Sequence, residues 1–288
     1  MWRRDRRTPI VQAGVLAVLA LAMFALVYWA TVRTEPGRLF GDASLRGAIR
    51  TQSGLTNGVD QILGIVSVAS LLAGIAAIAL VALTRLRRSA GLVAVGIVAA
   101  ANASTWVLKR YLLPRPDFGL AEISPATHNS LPSGHTTAVF SVVVAVLFVV
   151  PAQWRSRVAL AGGATAVVVG LATMSAGWHR AGDSVAAFFL VDLWAAVGAV
   201  VAVVVGKVRR RNYLEDETPY RPPRRPFLIV AGAAVGGLML ATALVLVGSL
   251  RSSGAGSAFA FVAGALFIAA GAALALFAVL AVLDRLEL

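Results

Sequence analysis

The sequence predicts an all-α integral membrane protein, and three observations predict it. Of 288 residues, 59% are hydrophobic and only 14% are charged, whereas a soluble domain carries about a quarter charged residues. Several apolar runs reach the roughly 20 residues that a helix needs to cross a bilayer. The runs are continuous and lack the strict alternation of barrel strands, so helices are the structure that satisfies their backbone groups in lipid.

Eight spans are expected, over residues 10–32, 58–84, 89–112, 134–152, 158–177, 182–206, 227–250 and 258–283. The first follows the basic stretch MWRRDRR. It is longer than a signal-peptide core and no A-x-A site closes it, so it reads as a retained span. The second opens near Asp60, a candidate cap. The third ends in LKRYLLPRPDF, where Pro114 and Pro116 stop the helix. The fourth begins within NSLPSGHTTAVF, and the fifth and sixth flank SAGWHRAGD. Asp192 lies deep in the sixth span, about 13 Å along a helix from Asp183. Buried acids at membrane depth are functional or paired, but no partner for Asp192 is evident. Residues 207–226, KVRRRNYLEDETPYRPPRRP, mix charge with proline and read as a solvated connector beside anionic headgroups. The seventh span carries Gly232-x-x-x-Gly236, a weak helix-packing signal. The expected organisation is a core over 1–206, a cytoplasmic linker over 207–226 and a two-span hairpin over 227–288.

The net charge is +13. Most basic residues sit in short segments between apolar runs, a pattern that encodes membrane topology rather than nucleic-acid binding. Their bias places both termini in the cytoplasm. There are no cysteines, which excludes disulfides, thiolate metal sites and a cysteine nucleophile.

With that topology three polar clusters from distant segments reach the outer face. In the first, Lys109 and Arg115 supply cations, the arginine with a planar fork suited to phosphate oxygens. Snorkelling at the interface is the alternative for these residues. In the second, Ser133 is placed to cap the fourth helix, whose N–H groups attract anions. Gly134 leaves the backbone open, and His135 lies in the first turn, able to pass a proton. An ordinary cap beside an interfacial histidine is the alternative. In the third, His179 and Asp183 are four apart, on one helical face. A carboxylate on one ring nitrogen leaves the other free to act as base or nucleophile; a satisfied interfacial pair is the alternative. No acidic cluster able to chelate a metal falls on this face, so cation-balanced chemistry without a metal or other cofactor is expected. His128, nearby in sequence, reads as an ordinary loop histidine.

At these residues the chain resembles the type 2 phosphatidic acid phosphatases (PAP2), membrane enzymes that share a site with vanadium haloperoxidases. The family pattern is K-x6-R-P, then P-S-G-H, then S-R-x5-H-x3-D. Pro132-Ser133-Gly134-His135 is a complete second motif, and His179-x3-Asp183 ends the third. Lys109, Arg115 and Pro116 match the first with one intervening residue too few. The resemblance covers residues 57–206 and implies a six-helix transmembrane core, with the last two spans added to it. It implies that His179 attacks phosphorus, Asp183 orients it, and His135 protonates the leaving oxygen. It implies that Lys109, Arg115, Ser133 and the Gly134 N–H bind the phosphoryl oxygens. The family's arginine six residues before the nucleophile is here Thr173; Arg180 is the candidate replacement, with Ser175 as a weaker donor.

The expected function is a lipid phosphate or diphosphate phosphatase of a bacterial plasma membrane, acting on the extracytoplasmic face through a phosphohistidine. Phosphatidic acid, phosphatidylglycerol phosphate and polyprenyl diphosphate are the candidate substrates. Phosphoryl transfer to a sugar or lipid hydroxyl, and a catalytically decayed lipid-phosphate binding or transport protein, are the alternatives. The expected partners are the lipid phosphate and the surrounding membrane lipids.

Overall fold

A computed structural model describes residues 7–51, 74, 76, 88–119, 129–205, 237 and 254–286. Within them the chain forms seven α-helices and no strand: α1 (Arg7–Val32), α2 (Glu35–Thr51), α3 (Arg88–Val107), α4 (Gly134–Val149), α5 (Ala152–Ser175), α6 (Ala181–Val205) and α7 (Gly254–Leu286). A single π turn, Leu108–Leu112, extends α3. The all-helical membrane architecture expected from the sequence is present, with five helices long and apolar enough to cross a bilayer and the shorter apolar α4 beside them. The spans expected at 58–84 and 227–250 lie outside the described residues, apart from the helical Gly74, Ala76 and Gly237. The linker at 207–226, Asp60, His128 and the Gly232-x-x-x-Gly236 pair lie outside them too.

α6 is the central helix. Every residue from His179 to Asp192 is buried, as expected of a helix apolar on all sides. It packs against α1, α3, α4 and α7. Phe188 meets Phe140 of α4 edge-on, with ring centroids 4.8 Å apart. α4 stops at Val150, held extended ahead of Pro151. α7 lies along α2, α5 and α6, and Ile268, Ala272 and Ala275 enter the same core as α4 and α6. At the end of the bundle opposite the polar clusters, the buried Arg155 donates from Nη1 to the Leu283 carbonyl at 2.9 Å.

α2 is the element that the hydropathy pattern left as a connecting segment. Thr34 caps it: Thr34 Oγ1 accepts from Gly37 N–H at 3.2 Å. Glu35 and Pro36 occupy the first turn, where an acid suits the dipole and proline forfeits no hydrogen bond. Arg38, Asp42, Leu45 and Ala48 are buried while Leu39, Arg46 and Ile49 face out, so the buried set recurs every three or four residues. α2 therefore offers a polar buried face, too weak in hydropathy to register as a span.

Close backbone approach fixes α2 against α7. A Cβ at Gly47 would lie 2.0 Å from the Ser257 carbonyl oxygen. Gly47→Ala is expected to force the helices apart and lower stability by about 2 kcal/mol, read as a drop in the thermal midpoint of the detergent-purified protein.

Candidate active site

The site is built where the end of α3 and the starts of α4 and α6 meet. Ser133 caps α4 from an extended conformation, and its Oγ accepts from Thr136 N–H at 3.3 Å and from Thr136 Oγ1 at 3.0 Å. Its own N–H, unused by the helix, donates to the Asp183 carbonyl at 2.9 Å. One turn in, Thr136 Oγ1 and Ser184 Oγ are 3.1 Å apart. The starts of α4 and α6 are thus joined by backbone and by hydroxyls, and their first residues, Gly134, His135 and Asp183, have fixed relative positions. A Cβ added to Gly134 would meet nothing within 4 Å. Open space therefore lies beside the first N–H groups of α4, where an anion is stabilised.

His179 stands just before α6, on a turn that closes α5. Gly177 has φ +75°, a left-handed conformation that glycine adopts without strain. The turn returns the N–H groups of Trp178 and His179 to one acceptor, the Thr173 carbonyl, at 3.0 and 3.2 Å. Asp183 sits in the first turn of α6 and reaches back: its Oδ2 accepts from the Arg180 N–H at 2.8 Å and lies 3.3 Å from His179 Nδ1. This is one half of a capping box, the acid reaching back to the N-terminal N–H, with the imidazole as an additional partner. A proton on Nδ1 facing the carboxylate leaves Nε2 with its lone pair available. The His135 and His179 ring centroids are 6.4 Å apart, a gap that one tetrahedral phosphate can bridge. Trp178 flanks His135 at 5.5 Å.

The cations come from α3, its following loop and the α6 start. Lys109, half-buried on the π turn, shares the electrostatic field of Asp183 and His135. Arg115 follows in extended chain, and three bonds hold that loop. Tyr28 Oη donates to the Pro114 carbonyl at 2.6 Å, Arg38 Nη1 to Pro116 O at 2.8 Å, and Asn129 Nδ2 to Leu113 O at 2.8 Å. The lysine–arginine spacing, one residue short, falls at the change from π turn to extended loop. Burial, then the nearby Arg180 and Arg38 charges, push the Arg115 guanidinium down to about 10, so it stays charged near neutral pH. Arg180 turns its side chain to α2, where Nε and Nη2 lie 2.7 and 2.6 Å from Asp42 Oδ1. Arg115 Nη2 is 3.8 Å from the same oxygen. Among the described residues no group of three His, Asp or Glu gathers as a metal site.

The structure thus brings Lys109, Arg115, Ser133, Gly134, His135, His179, Arg180 and Asp183 to one end of the bundle. Asp192 is apart from them, buried in mid-helix. Sequence reasoning missed Asp42, Arg38 and Asn129; the cap, acid and proline of Thr34-Glu35-Pro36 were the signal that could have revealed α2. Thr173, in the place of the family's arginine, is fully buried, and its Oγ1 donates back to Gly170 O at 2.9 Å. Restoring the arginine there would bury a charge where a hydroxyl now bonds its own helix. Thr173→Arg is expected to destabilise by about 3 kcal/mol, measured by thermal unfolding, and to lose rather than gain activity.

The family model described as the PAP2 superfamily matches residues 90–213, the stretch from α3 through α6 that contains all eight of these residues. The crystal structure of a transmembrane PAP2-type phosphatidylglycerolphosphate phosphatase from Bacillus subtilis superposes with a TM-score of 0.51. Identity is 22%, and the alignment covers 68% of this chain and 98% of that one; the likeness is one of fold. No curated protein matches the chain. The chain is thus similar to the PAP2 superfamily through residues 90–213, the stretch that carries both site histidines and Asp183.

Proposed function

We propose that this multi-pass membrane protein is a phosphatase of lipid phosphates, acting through a phosphohistidine and without a metal. The observation that carries the reading is the pair of imidazoles 6.4 Å apart, one of them backed by a buried carboxylate. A binding protein needs cations and helix N–H groups, but it has no need of a histidine oriented by an aspartate.

In this mechanism the headgroup phosphate lies over the start of α4. Lys109, Arg115, Arg180 and the Gly134 N–H hold its non-bridging oxygens, and Ser133 fixes the helix start that presents them. His179 Nε2 attacks phosphorus as the bond to the lipid oxygen breaks. His135 gives that oxygen its proton, so the lipid alcohol, or from a diphosphate the lipid monophosphate, leaves. His135, now neutral, takes a proton from water, which attacks the phosphohistidine and releases inorganic phosphate with His179 restored. Asp183 keeps Nδ1 protonated and steadies the positive charge that develops on the ring. The fixed cations offset charge on the pentavalent transition state.

A site at the end of the bundle, level with the start of an apolar helix, suits a substrate whose tail remains in lipid. Phosphatidic acid, phosphatidylglycerol phosphate and polyprenyl diphosphate all meet that requirement. The basic bias of the loops supports a cytoplasmic N-terminus and a site on the extracytoplasmic face of a bacterial plasma membrane.

Phosphate release from a panel of these lipids tests the reading. The wild-type protein is expected to turn over at least one of them with EDTA present, and His179→Ala to lose at least about 1,000-fold. Activity that EDTA abolishes, or that survives His179→Ala, contradicts it.

A further inference from the structure

We propose that Asp42, on α2, is a positioning residue for phosphate: its carboxylate fixes the guanidinium planes of Arg180 and Arg115 beside the nucleophile. The inference rests on the phosphatase reading, and it lies outside the motif region, since α2 precedes the matched residues 90–213.

Three observations carry it. First, Asp42 is buried, 3% exposed, and a buried carboxylate persists where cations compensate it. Its Oδ1 receives Nε and Nη2 of Arg180 at 2.7 and 2.6 Å and lies 3.8 Å from Arg115 Nη2. Second, α2 is shaped to receive that side chain. A Cβ at Gly41 would stand 3.0 Å from Arg180 Cδ, so the glycine leaves the lane along which the arginine reaches Asp42. Third, both arginines are bound to nucleophile geometry by the main chain. Arg180 follows His179 directly, and its N–H is held by Asp183. Arg115 rides on a loop that Arg38 of α2 also pins through Pro116 O.

The chemistry follows from the charges. Two adjacent guanidiniums repel, and each has several rotamers. A carboxylate behind them removes the repulsion, sets the forks at one angle and leaves the three groups with one net positive charge. A phosphoryl group entering from the His179 side then meets oriented donors, which are worth more to a transition state than mobile ones. In a chain with Thr173 where the family pattern has arginine, Asp42 gives Arg180 a fixed position near the same phosphorus.

The test uses the full-length protein in mixed micelles with phosphatidic acid, and reads phosphate binding separately through the thermal shift that inorganic phosphate produces. Asp42→Asn keeps the shape, loosens the forks and removes the compensating charge. It is expected to lower kcat about tenfold while inorganic phosphate binds about threefold more tightly. Loss of folded protein cannot produce that opposed pair of changes. In an Arg180→Ala background the same substitution is expected to lower kcat by clearly less than tenfold, because the closer of its two routes is gone and only the longer Arg115 contact remains. Gly41→Ala keeps the carboxylate but crowds Arg180, and is expected to lower kcat with phosphate binding unchanged; it serves as the test should Asp42→Asn not fold. Full kcat in Asp42→Asn or in Gly41→Ala, or effects of Asp42→Asn and Arg180→Ala that multiply, would overturn the proposal. A wild-type protein that hydrolyses no lipid phosphate would instead overturn the phosphatase reading. The phosphate-binding comparison would still report on Asp42.

Discussion

The hydrogen bond from Ser133 N–H to the Asp183 carbonyl joins two helix starts that are fifty residues apart in the chain. A buried Ser133 N–H would otherwise lack a partner. Here the cap of α4 leans on the backbone of α6, and Thr136 and Ser184 repeat the contact one turn deeper. The energy of one such bond is about 1 kcal/mol. Its geometric effect is larger: His135 is carried by one start, His179 and Asp183 by the other, and their separation is set by main-chain contacts rather than by side-chain choice. Burial of every residue from His179 to Asp192 protects the joint from water.

Charge is distributed by the same economy of elements. Asp183 serves the helix cap and the imidazole with one oxygen. Asp42 serves two arginines with one oxygen. Leaving such acids unpaired at this depth would be costly; pairing each with a group of the candidate site turns that requirement into orientation. The result is a concave end of the bundle that is positive overall, with its positive groups directed rather than mobile.

How much of this could be read from the residues follows from what each signal depends on. Apolar length made α1, α3, α5, α6 and α7 legible, since lipid imposes a near-uniform length on spanning helices. Local spacing made the histidine motifs legible, because Ser133-Gly134-His135 and His179-x3-Asp183 each act within one helical turn. α2 was not legible in the same way. Its buried face holds Arg38 and Asp42, so its burial is justified by partners at Pro116, Arg115 and Arg180, and those contacts span 70 to 140 residues of sequence. Thr173 was legible as a departure but not in its consequence: its side chain stays within α5, and it is its carbonyl that holds the N–H of His179.

The central claim is that the joined helix starts make His179 the group that takes the phosphoryl. Rapid quenching of the purified protein during turnover of phosphorus-labelled phosphatidic acid, followed by peptide mapping, measures it directly. The account predicts an acid-labile, alkali-stable label on the peptide containing His179. A label on any other residue, or none at quench times shorter than a turnover, would contradict it.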